Sequence, residues 1–387
     1  MSTVFKVQRV SQDLLSSSRA GSSFHNFIKC MRTPLSSSVP VYQSGDGHKH
    51  FYSGLVRCHS RWLCPVCGPT LERKSAAEIS KAFHWAYSHG LKAAMLTFTL
   101  SHGKGDRLKR IISMFSAAQR LMKAQRGYRA FKAAFGVEGE IKGYEVTYSK
   151  NNGWHWHLHT VIFYASDEDI TAQKQVLTDI WRRCLVKNGY RNPTGKALES
   201  FNENALDIMA DCHSSDYLTK AGCGVWGADK EIALGGWHKE SDGLRPVDLA
   251  LSDDKAARSL WVEYALATRN IHRIRWSAGL KKRVGLQDKT DEQIIEESEM
   301  EAERVLRAVL NIHQWHYIQR YRLRSYVLAL FESEGFDGVE RFLQSHGFRS
   351  LARVPADIDV YDTGTANTIW QQQEEQRQYI GISSGSG

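Results

Sequence analysis

The chain has 387 residues, 42% of them hydrophobic and 24% charged, with a net charge of +9 and a pI of about 9.1. This length and globular composition allow a sizeable core in two or three domains, and the basic balance favours polyanionic partners. No run approaches the roughly 18 apolar residues that suggest a membrane span, and the N-terminus lacks the apolar centre of a signal peptide. We therefore expect a cytoplasmic protein with no membrane partner.

The first segments of the chain differ in composition. Residues 1–24 are polar and Ser-rich, which predicts a flexible arm, and residues 25–69 hold four of the seven cysteines. An odd number of cysteines in such a chain indicates metal ligands and free thiols rather than disulfides.

The pattern Cys58-x5-Cys64-Pro-Val-Cys67 has the spacing of a zinc ribbon or knuckle. Cys58 is the natural third ligand and Cys30 the expected fourth, with His48, His50 and His59 as alternatives. A redox Cys-x-x-Cys pair is the competing interpretation, but such pairs lie at a strand-to-helix junction, not in a loop-rich segment.

The middle of the chain alternates between the two periods of regular structure. A helix is predicted over residues 70–89, and the order β-α-β-β-α-β-α follows over residues 93–221. This order predicts an α+β fold: a ferredoxin-like, split βαβ arrangement with a mainly antiparallel sheet. Residues 291–347 are predicted to be helical.

Three histidines lie two residues apart in one predicted strand, at positions 155, 157 and 159. Residues i, i+2 and i+4 of a strand point to the same face, so His155, His157 and His159 line one side. Imidazoles clustered on one face are what a divalent metal needs, whereas a polar solvent-facing strand rarely has three of them.

The turn before this strand nominates a fourth side chain. Asn151-Asn152-Gly153 suits a three-residue hairpin loop that pairs Lys150 with Trp154 and so Glu145 with His159. We expect His157, His159 and Glu145 to bind Mn²⁺ or Mg²⁺, although zinc or cobalt suits the same ligands. His155 is expected to lie behind the ligands or to contact DNA.

A candidate nucleophile follows in the predicted helix Ser214–Ala221. Tyr217 and Lys220 are spaced i, i+3 and therefore share a helix face. A nearby ammonium favours the phenolate of a tyrosine, but Tyr-x-x-Lys alone is a very weak motif. Its weight comes from its position one helix and one strand after the histidines.

These motifs together resemble those of the rolling-circle replication initiators of small bacterial plasmids, which are HUH endonucleases. The first motif is similar to Leu96-Thr97-Phe98-Thr99-Leu100, the metal motif to residues 153–159 with Trp156 in place of an expected proline, and the nucleophile motif to Tyr217-Leu218-Thr219-Lys220. The resemblance covers roughly residues 30–287.

The resemblance implies a site-specific DNA nicking and rejoining enzyme. Tyr217 would form a 5′-phosphotyrosine and leave a 3′-OH primer, while Lys220 would stabilise the developing negative charge. Position 213 is His where several relatives carry a glutamate that activates water. His213, Asp211 and Asp216 are therefore the candidate bases for termination. Residue 221 is Ala, so a second tyrosine at that position is absent.

Basic residues are expected to contact the DNA. A dense group interleaved with an aromatic side chain would serve a single-stranded or hairpin origin. The group comprises Arg273, Arg275, Trp276, Lys281, Lys282 and Arg283. Nine Lys/Arg and one acid between residues 104 and 132 indicate either a DNA contact or a solvated helix face. Residues 189–197 fail the Walker A spacing, so the helicase is expected to be a separate host protein.

We therefore predict six segments and three candidate functions. The segments are a flexible arm (1–24), a zinc-binding segment (25–69), an HUH nuclease domain (70–224), a basic extension (225–287), a helical C-terminal domain (288–349) and a disordered tail (350–387). The leading function is initiation of rolling-circle plasmid replication in the bacterial cytoplasm. The alternatives are a single-tyrosine transposase or relaxase and a non-catalytic zinc-ribbon regulator. Monomer and dimer are equally compatible with the sequence.

Overall fold

The computed structural model describes residues 3–19, 21–212, 244–301, 304–349 and 351–353. It divides into two compact units, one formed by residues 1–60, 64–67 and 291–387 and the other by residues 61–63 and 68–290. None of the helices in these described ranges is long and apolar enough to cross a membrane.

The second unit is built on a five-stranded antiparallel sheet. Its strands are β3 (Lys92–Phe98), β4 (Val137–Ser149), β5 (Gly153–Tyr164), β6 (Leu206–Met209) and β7 (Ile274–Trp276), in the spatial order β6-β3-β5-β4-β7. Its helices are α3 (Cys67–Ser88, whose first residue belongs to the other unit), α4 (Leu108–Ala124), α5 (Arg126–Ala134), α6 (Lys174–Lys187), α7 (Lys196–Asn204), α8 (Pro246–Leu251), α9 (Lys255–Thr268) and α10 (Leu280–Arg283).

The four central strands confirm the predicted ferredoxin-like arrangement. Strand β5 lies between β3 and β4 and is antiparallel to both, which is the split βαβ order, and β6 pairs with the other edge of β3. Strand β7 adds a fifth strand to the β4 edge, formed by residues from the predicted basic extension.

The two faces of this sheet are covered unequally. Helix α3 buries Ile79, Phe83 and Ala86 against Val161 and Phe163 of β5. These two strand residues lie on the same face of the sheet as the three histidines, further along β5. On the opposite face Trp181 of α6 packs against Phe98 and Phe115. Helix α3 therefore covers one half of the histidine face.

The first unit contains a second, smaller antiparallel sheet. It consists of β1 (Ser38–Ser44), β2 (His50–Tyr52), β8 (Arg304–Asn311) and β9 (Ala352–Arg353) in the order β2-β1-β8-β9. The helices of this unit are α1 (Thr3–Ser16), α2 (His25–Lys29), α11 (Asp291–Glu301), α12 (Ile312–Arg320) and α13 (Arg324–Ser345), the last interrupted at Gly335.

Two expectations for this unit are corrected. Residues 3–16 form a helix rather than a flexible arm, because Gln8 and Gln12 of its buried stripe hydrogen-bond inward; Gln12 Nε2 donates to the carbonyls of Phe27 and Cys30. Residues 304–311, predicted as helix, form a strand because β1 pairs with them across more than 250 intervening residues. The remaining C-terminal elements, apart from the short β9, are helical as predicted.

Candidate functional site

The three histidines lie on one face of β5, as their spacing predicts. The ring centroids of His155 and His157 are 6.2 Å apart and those of His157 and His159 are 6.4 Å apart, with the rings nearly parallel. His159 is 5% exposed, and the two others are partly exposed. The row thus runs from a buried end to an accessible end.

Glu145 joins this row by a register that differs from the predicted one. Residues 150–152 form the loop, so Ser149 pairs with Gly153 and Glu145 pairs with His157 rather than with His159. The difference is two residues, an even number, so Glu145 stays on the histidine face. Its carboxylate Oε2 lies 3.2 Å from His159 Nε2, and both side chains are buried.

His159 is held at both ring nitrogens. Nε2 lies 3.2 Å from Glu145 Oε2, and Nδ1 lies 3.1 Å from the hydroxyl oxygen of Thr97. In the tautomer that leaves Nε2 free for a metal ion, Nδ1 carries the proton and donates to Thr97 Oγ1. Thr97 pairs with His159 across the β3–β5 ladder and belongs to the first motif of the resemblance. Thr97 therefore fixes the ring orientation of His159.

The candidate ligand atoms of His157, His159 and Glu145 do not all lie within 4.8 Å of one another, whereas those of the four cysteines do. In the described part of the chain, only those cysteines form a group of three or more His, Cys, Asp or Glu side chains with all candidate ligand atoms within 4.8 Å. Ligand atoms each about 2.1 Å from one ion lie roughly 3.0 to 3.4 Å apart. The pair Glu145 and His159 meets that spacing, whereas His157 must turn to join it.

His155 forms a hydrogen-bond network with His102, a residue outside the sequence motifs. His102 Nδ1 donates to the carbonyl of Asn152 at 2.8 Å, which leaves its Nε2 to accept from His155 Nδ1 at 2.9 Å. Ser149 Oγ donates to His155 Nε2 at 3.4 Å and accepts from the amide of Asn152. The signal for His102 was its place two residues after the first motif.

Burial disfavours the charged form of both imidazoles of this network. It lowers the pKa of His102 and of His155, and the proximity of His102 lowers the pKa of His155 further. The network links the loop after β3 to the β4–β5 turn, which places His155 as a support for the histidine row.

The four cysteines predicted as a metal site come together. Cys30 Sγ lies 3.7 Å from the sulfur atoms of Cys64 and Cys67, and Cys58 Sγ lies 4.0 Å from that of Cys67. All four are free thiols rather than disulfide partners. Hydrogen bonds from the other three cysteines lower the pKa of Cys67, with a further contribution from the nearby Arg57. Such a cluster can hold a metal ion.

The predicted basic stretch divides into exposed and buried residues. Arg275 and Lys282 are exposed, whereas Arg273 is 2% exposed, pairs with the buried Glu72 and lies over the ring of Trp62 at 5.3 Å. The expectation that Arg273 contacts DNA is wrong, because the folded core encloses its guanidinium.

Three further side chains of this stretch have partners. Lys281 pairs with Glu78 at 3.0 Å and lies 5.5 Å above the ring of Trp276. Arg283 pairs with Glu138 at 2.8 Å on the surface. The exposed Arg283–Glu138 pair contributes little to stability and can be exchanged for a phosphate contact, whereas the side chains of Lys281 and Glu78 are only 14% and 13% exposed.

The predicted nucleophile and most of the candidate bases lie outside the described residues. These are Tyr217, Lys220, His213 and Asp216. Asp211 is described: it is exposed, has a φ of 50°, and precedes Cys212, whose amide donates to the carbonyl of Ala93. It therefore lies near the start of β3, whereas Thr97 lies at the histidine end.

Residues 51–191 match a family model described as "Replication protein". The chain is 28% identical over 313 residues to "Protein rep" of Streptomyces lividans, a match that covers 65% of this chain and 68% of that protein. It is 22% identical to "Protein rep" of Lentilactobacillus hilgardii, covering 41% of this chain and 51% of that one. The predicted resemblance to replication proteins is confirmed by these matches.

Two other similar proteins have different descriptions. A "Neomycin resistance protein" of Streptomyces cyanogenus is 27% identical, with 37% of this chain and 43% of that protein covered. A solved structure of the minute virus of mice non-structural protein-1 N-terminal nuclease domain is 14% identical and covers 50% of this chain and 98% of that one. Its TM-score of 0.20 is too low to establish a common fold.

Proposed function

We propose that this chain is a replication initiator that nicks single-stranded origin DNA through a tyrosine, starts rolling-circle synthesis and rejoins the strand at termination. The observation that carries the proposal is the row of three histidines with a buried glutamate on the half of a split βαβ sheet that α3 does not cover. The match of residues 51–191 to replication proteins supports the same conclusion.

His159, Glu145 and His157 are the proposed ligands of a divalent Mn²⁺ or Mg²⁺ ion. The 3.2 Å between the first two ligand atoms suits one ion, and the mixed nitrogen and oxygen donors suit these metals. Bound there, the ion would polarise the scissile phosphate as a Lewis acid. The chain's part is to present a buried carboxylate, to orient His159 through Thr97, and to turn His157 toward them.

Tyr217 is the proposed nucleophile. Its phenolate oxygen attacks the phosphorus in line, a P–O bond to Tyr217 forms, and the bond to the 3′ oxygen breaks. The 3′ oxygen takes up a proton to become the free 3′-OH, and the downstream strand stays attached as a 5′-phosphotyrosine. Lys220 stabilises the phenolate and the charge that develops on the phosphate. Rejoining is the reverse attack by a 3′-OH.

The length of the intervening chain allows Tyr217 to reach the histidines. Cys212 is anchored beside Ala93, and Thr97, which contacts His159, lies four residues further along β3, about 13 Å away. Five extended residues from Cys212 to Tyr217 span up to about 17 Å. His213, Asp216 and Asp211 are the proposed candidates for the base that activates water at termination. Asp211 lies near the start of β3, at the end of the strand away from the histidines.

The four cysteines are the proposed site of a structural zinc ion. A tetrahedral site with Zn–S bonds of about 2.3 Å places its sulfur atoms roughly 3.8 Å apart. The observed separations of 3.7 to 4.0 Å agree with that geometry. His48, His50 and His59 are not needed as ligands.

The proposed DNA contacts use the accessible basic residues of the stretch. Arg275 and Lys282 are exposed, and Arg283 can exchange its carboxylate partner for a phosphate. Lys281, which is largely buried beside Glu78, is proposed to act as a positive charge near these contacts. Trp276 offers a stacking surface for a base. The helicase and the other replication proteins are proposed to come from the host.

The test is covalent capture of the strand. A single-stranded oligonucleotide with the replicon's own origin, labelled at its 3′ end, is incubated with the full chain and Mn²⁺ and run on a denaturing gel. We expect a labelled protein band with wild type and with the control Tyr321→Phe, and none with Tyr217→Phe. Tyr321 is an exposed tyrosine of the other unit.

The same experiment separates the alternatives. The absence of an adduct on the denaturing gel, together with a shift of the same oligonucleotide on a native gel, would favour the zinc-ribbon regulator. An adduct formed on the ends of a mobile element, but not on a replication origin, would favour the single-tyrosine transposase or relaxase. An adduct with Tyr217→Phe equal to that of wild type would overturn the proposed nucleophile.

A further inference from the structure

A cavity of about 400 Å³ lies on the sheet face opposite the histidines, at the β4–β7 edge and beside α4 and α5. Strand β4 contributes Glu140, Lys142 and Tyr144, which alternate with Glu145 of the histidine face. The cavity is therefore separated from the proposed metal site by the thickness of the sheet.

Positive charge dominates the lining of this cavity. Lys123, Arg129, Lys132, Lys142 and Arg275 surround it, and the one acid among its lining residues is Glu140. Glu140 is buried and lies 2.7 Å from Lys132 Nζ and 3.3 Å from Lys142 Nζ. The Glu140 carboxylate thus forms ion pairs with two lysines. The side chains of Lys123, Arg129 and Arg275 are exposed at the rim of the cavity.

This uncompensated charge is held in a concave, partly desolvated site. Lys142 is 7% exposed, and burial lowers its pKa to about 8 despite the neighbouring Glu140. A concave site with low-dielectric walls focuses such a field and attracts anions. A bound anion would offset the repulsion among the lysines, which Glu140 alone does not cancel.

The rest of the lining suits a base and its sugar. Tyr128 and Tyr144 supply aromatic surface, and stacking on such rings is a sequence-tolerant way to bind a base. The ring of Trp276 packs against the α3 cluster on the other face of the sheet. Tyr144 donates to Gln119 Oε1 at 2.8 Å, whereas the buried Gln119 Nε2 has no hydrogen-bond partner in the described structure. That amide is a donor for an acceptor atom of a ligand.

We propose that this cavity binds a nucleotide, with Arg129, Arg275 and Lys123 on its phosphate and the aromatic side chains beside its base. The nucleotide is one within a DNA strand, a choice that rests on the proposed function. A free mononucleotide has the same chemistry and is separated from it by the experiment. The strand would then contact the protein on both faces of one sheet.

The test measures equilibrium binding by full-length proteins that all carry Tyr217→Phe, without added Mn²⁺. The variant Arg129→Gln/Arg275→Gln removes two cavity cations. The matched control Arg120→Gln/Arg126→Gln removes two exposed arginines of α4 and α5 that do not line the cavity. The probes are fluorescent dT20, the mononucleotide dTMP and inorganic phosphate, and melting temperatures verify that each variant is folded.

We expect the cavity variant to bind dT20 about tenfold more weakly at 150 mM salt, an affinity loss typical of two phosphate contacts. Its slope of log K against log salt should be smaller by about 1.4, because each phosphate contact to a single strand contributes roughly 0.7. The control should stay within about twofold of the parent. A loss of dTMP binding with unchanged dT20 binding would assign the cavity to a free nucleotide.

Equal affinities and equal salt slopes for the cavity variant and the control, with all three probes, would overturn the proposal. None of these measurements depends on strand cleavage. Failure to form the tyrosine adduct would therefore refute the proposed function without affecting this result, and the reverse also holds.

Discussion

His159 is the side chain on which the proposed metal site depends, and Thr97 contacts its ring. Thr97 Oγ1 lies 3.1 Å from His159 Nδ1 and can accept its proton, which leaves Nε2 facing Glu145. A partner that fixes the ring of a metal-binding histidine typically contributes a factor of 10 to 100 to metal affinity.

We predict that Thr97→Val raises the Mn²⁺ concentration for half-maximal adduct formation by about tenfold, within that range. The rate at saturating Mn²⁺ should change much less. The control is Thr160→Val in β5, whose buried hydroxyl has no hydrogen-bond partner in the described structure. A tenfold shift with Thr160→Val, or none with Thr97→Val, would show that Thr97 does not orient the ligand.

The His102–His155 pair makes stability depend on pH in a direction set by its lowered pKa values. Both groups have folded-state pKa values below the ordinary value of about 6.5. The two histidines contribute fully to the free energy of unfolding at pH values above about 6.5. This contribution is lost as the pH falls below about 6.5, because the histidines of the unfolded chain take up protons before those of the folded chain.

We therefore predict that the melting temperature of wild type falls more steeply between pH 7.5 and pH 5 than that of His102→Gln/His155→Gln. Thermal melts at matched ionic strength across this range measure the difference. Parallel curves for the two proteins would mean that the pair is not neutral in the folded state.

Site residues could be predicted from the sequence where a single local motif contains them. The four cysteines were identified by number, because Cys-x-x-Cys with two further cysteines has few other uses. Glu145 was placed on the correct face with the wrong partner, since an even error in register preserves the face. Thr97 and His102 were missed because their roles depend on pairing with β5 and its turn, which the sequence does not display.

The β4–β5 hairpin is the element that sets this register. Gly153 has a φ of 79°, and a Cβ at this position would lie 3.0 Å from the Gly103 carbonyl oxygen and 3.1 Å from Lys104 Cα. Both the left-handed conformation and the nearby backbone require glycine.

We predict that Gly153→Ala lowers the stability of the second unit by about 1 to 3 kcal/mol, the usual cost of a strained backbone residue. It should also reduce adduct formation, because the turn supports the His102–His155 network. Gly105→Ala is the control, since a Cβ there would meet nothing within 4 Å. Equal melting temperatures for Gly153→Ala and wild type would show that the turn tolerates a different conformation.

Elements with strong local patterns were predictable, and those with distant partners were not. The βαββαβ order follows from alternating periods within about 120 residues. Strand β8 has no such local signal: its partner β1 lies at the other end of the chain. Helix α1 was missed because its buried stripe includes glutamines that hydrogen-bond inward rather than apolar side chains alone.

The first unit is formed by residues from both ends of the chain. Residues 1–60, 64–67 and 291–387 form one unit, and the cysteine cluster lies within it. A metal ion bound by four cysteines would link Cys30 to the segment of Cys58, Cys64 and Cys67. Helix α1 also bridges them, because Gln12 donates to the Cys30 carbonyl and Gln8 to Cys64 Sγ.

We predict that freshly purified protein contains one zinc ion per chain and that Cys64→Ser abolishes it. The melting temperature of the first unit should fall, because structural zinc contributes folding free energy directly. Cys184→Ser, at a buried cysteine of the second unit, should retain the zinc. Elemental analysis with no zinc in wild type, or full zinc in Cys64→Ser, would refute the site.

In the proposed mechanism Tyr217 becomes covalently joined to DNA, and locating the joined residue tests this step. The adduct is digested with nuclease and trypsin, and the nucleotide-bearing peptide is sequenced by mass spectrometry. Trypsin releases residues 197–220, in which Tyr217 is the single tyrosine. We predict a nucleotide attached by its 5′-phosphate to Tyr217, whereas attachment to any other residue would contradict the mechanism.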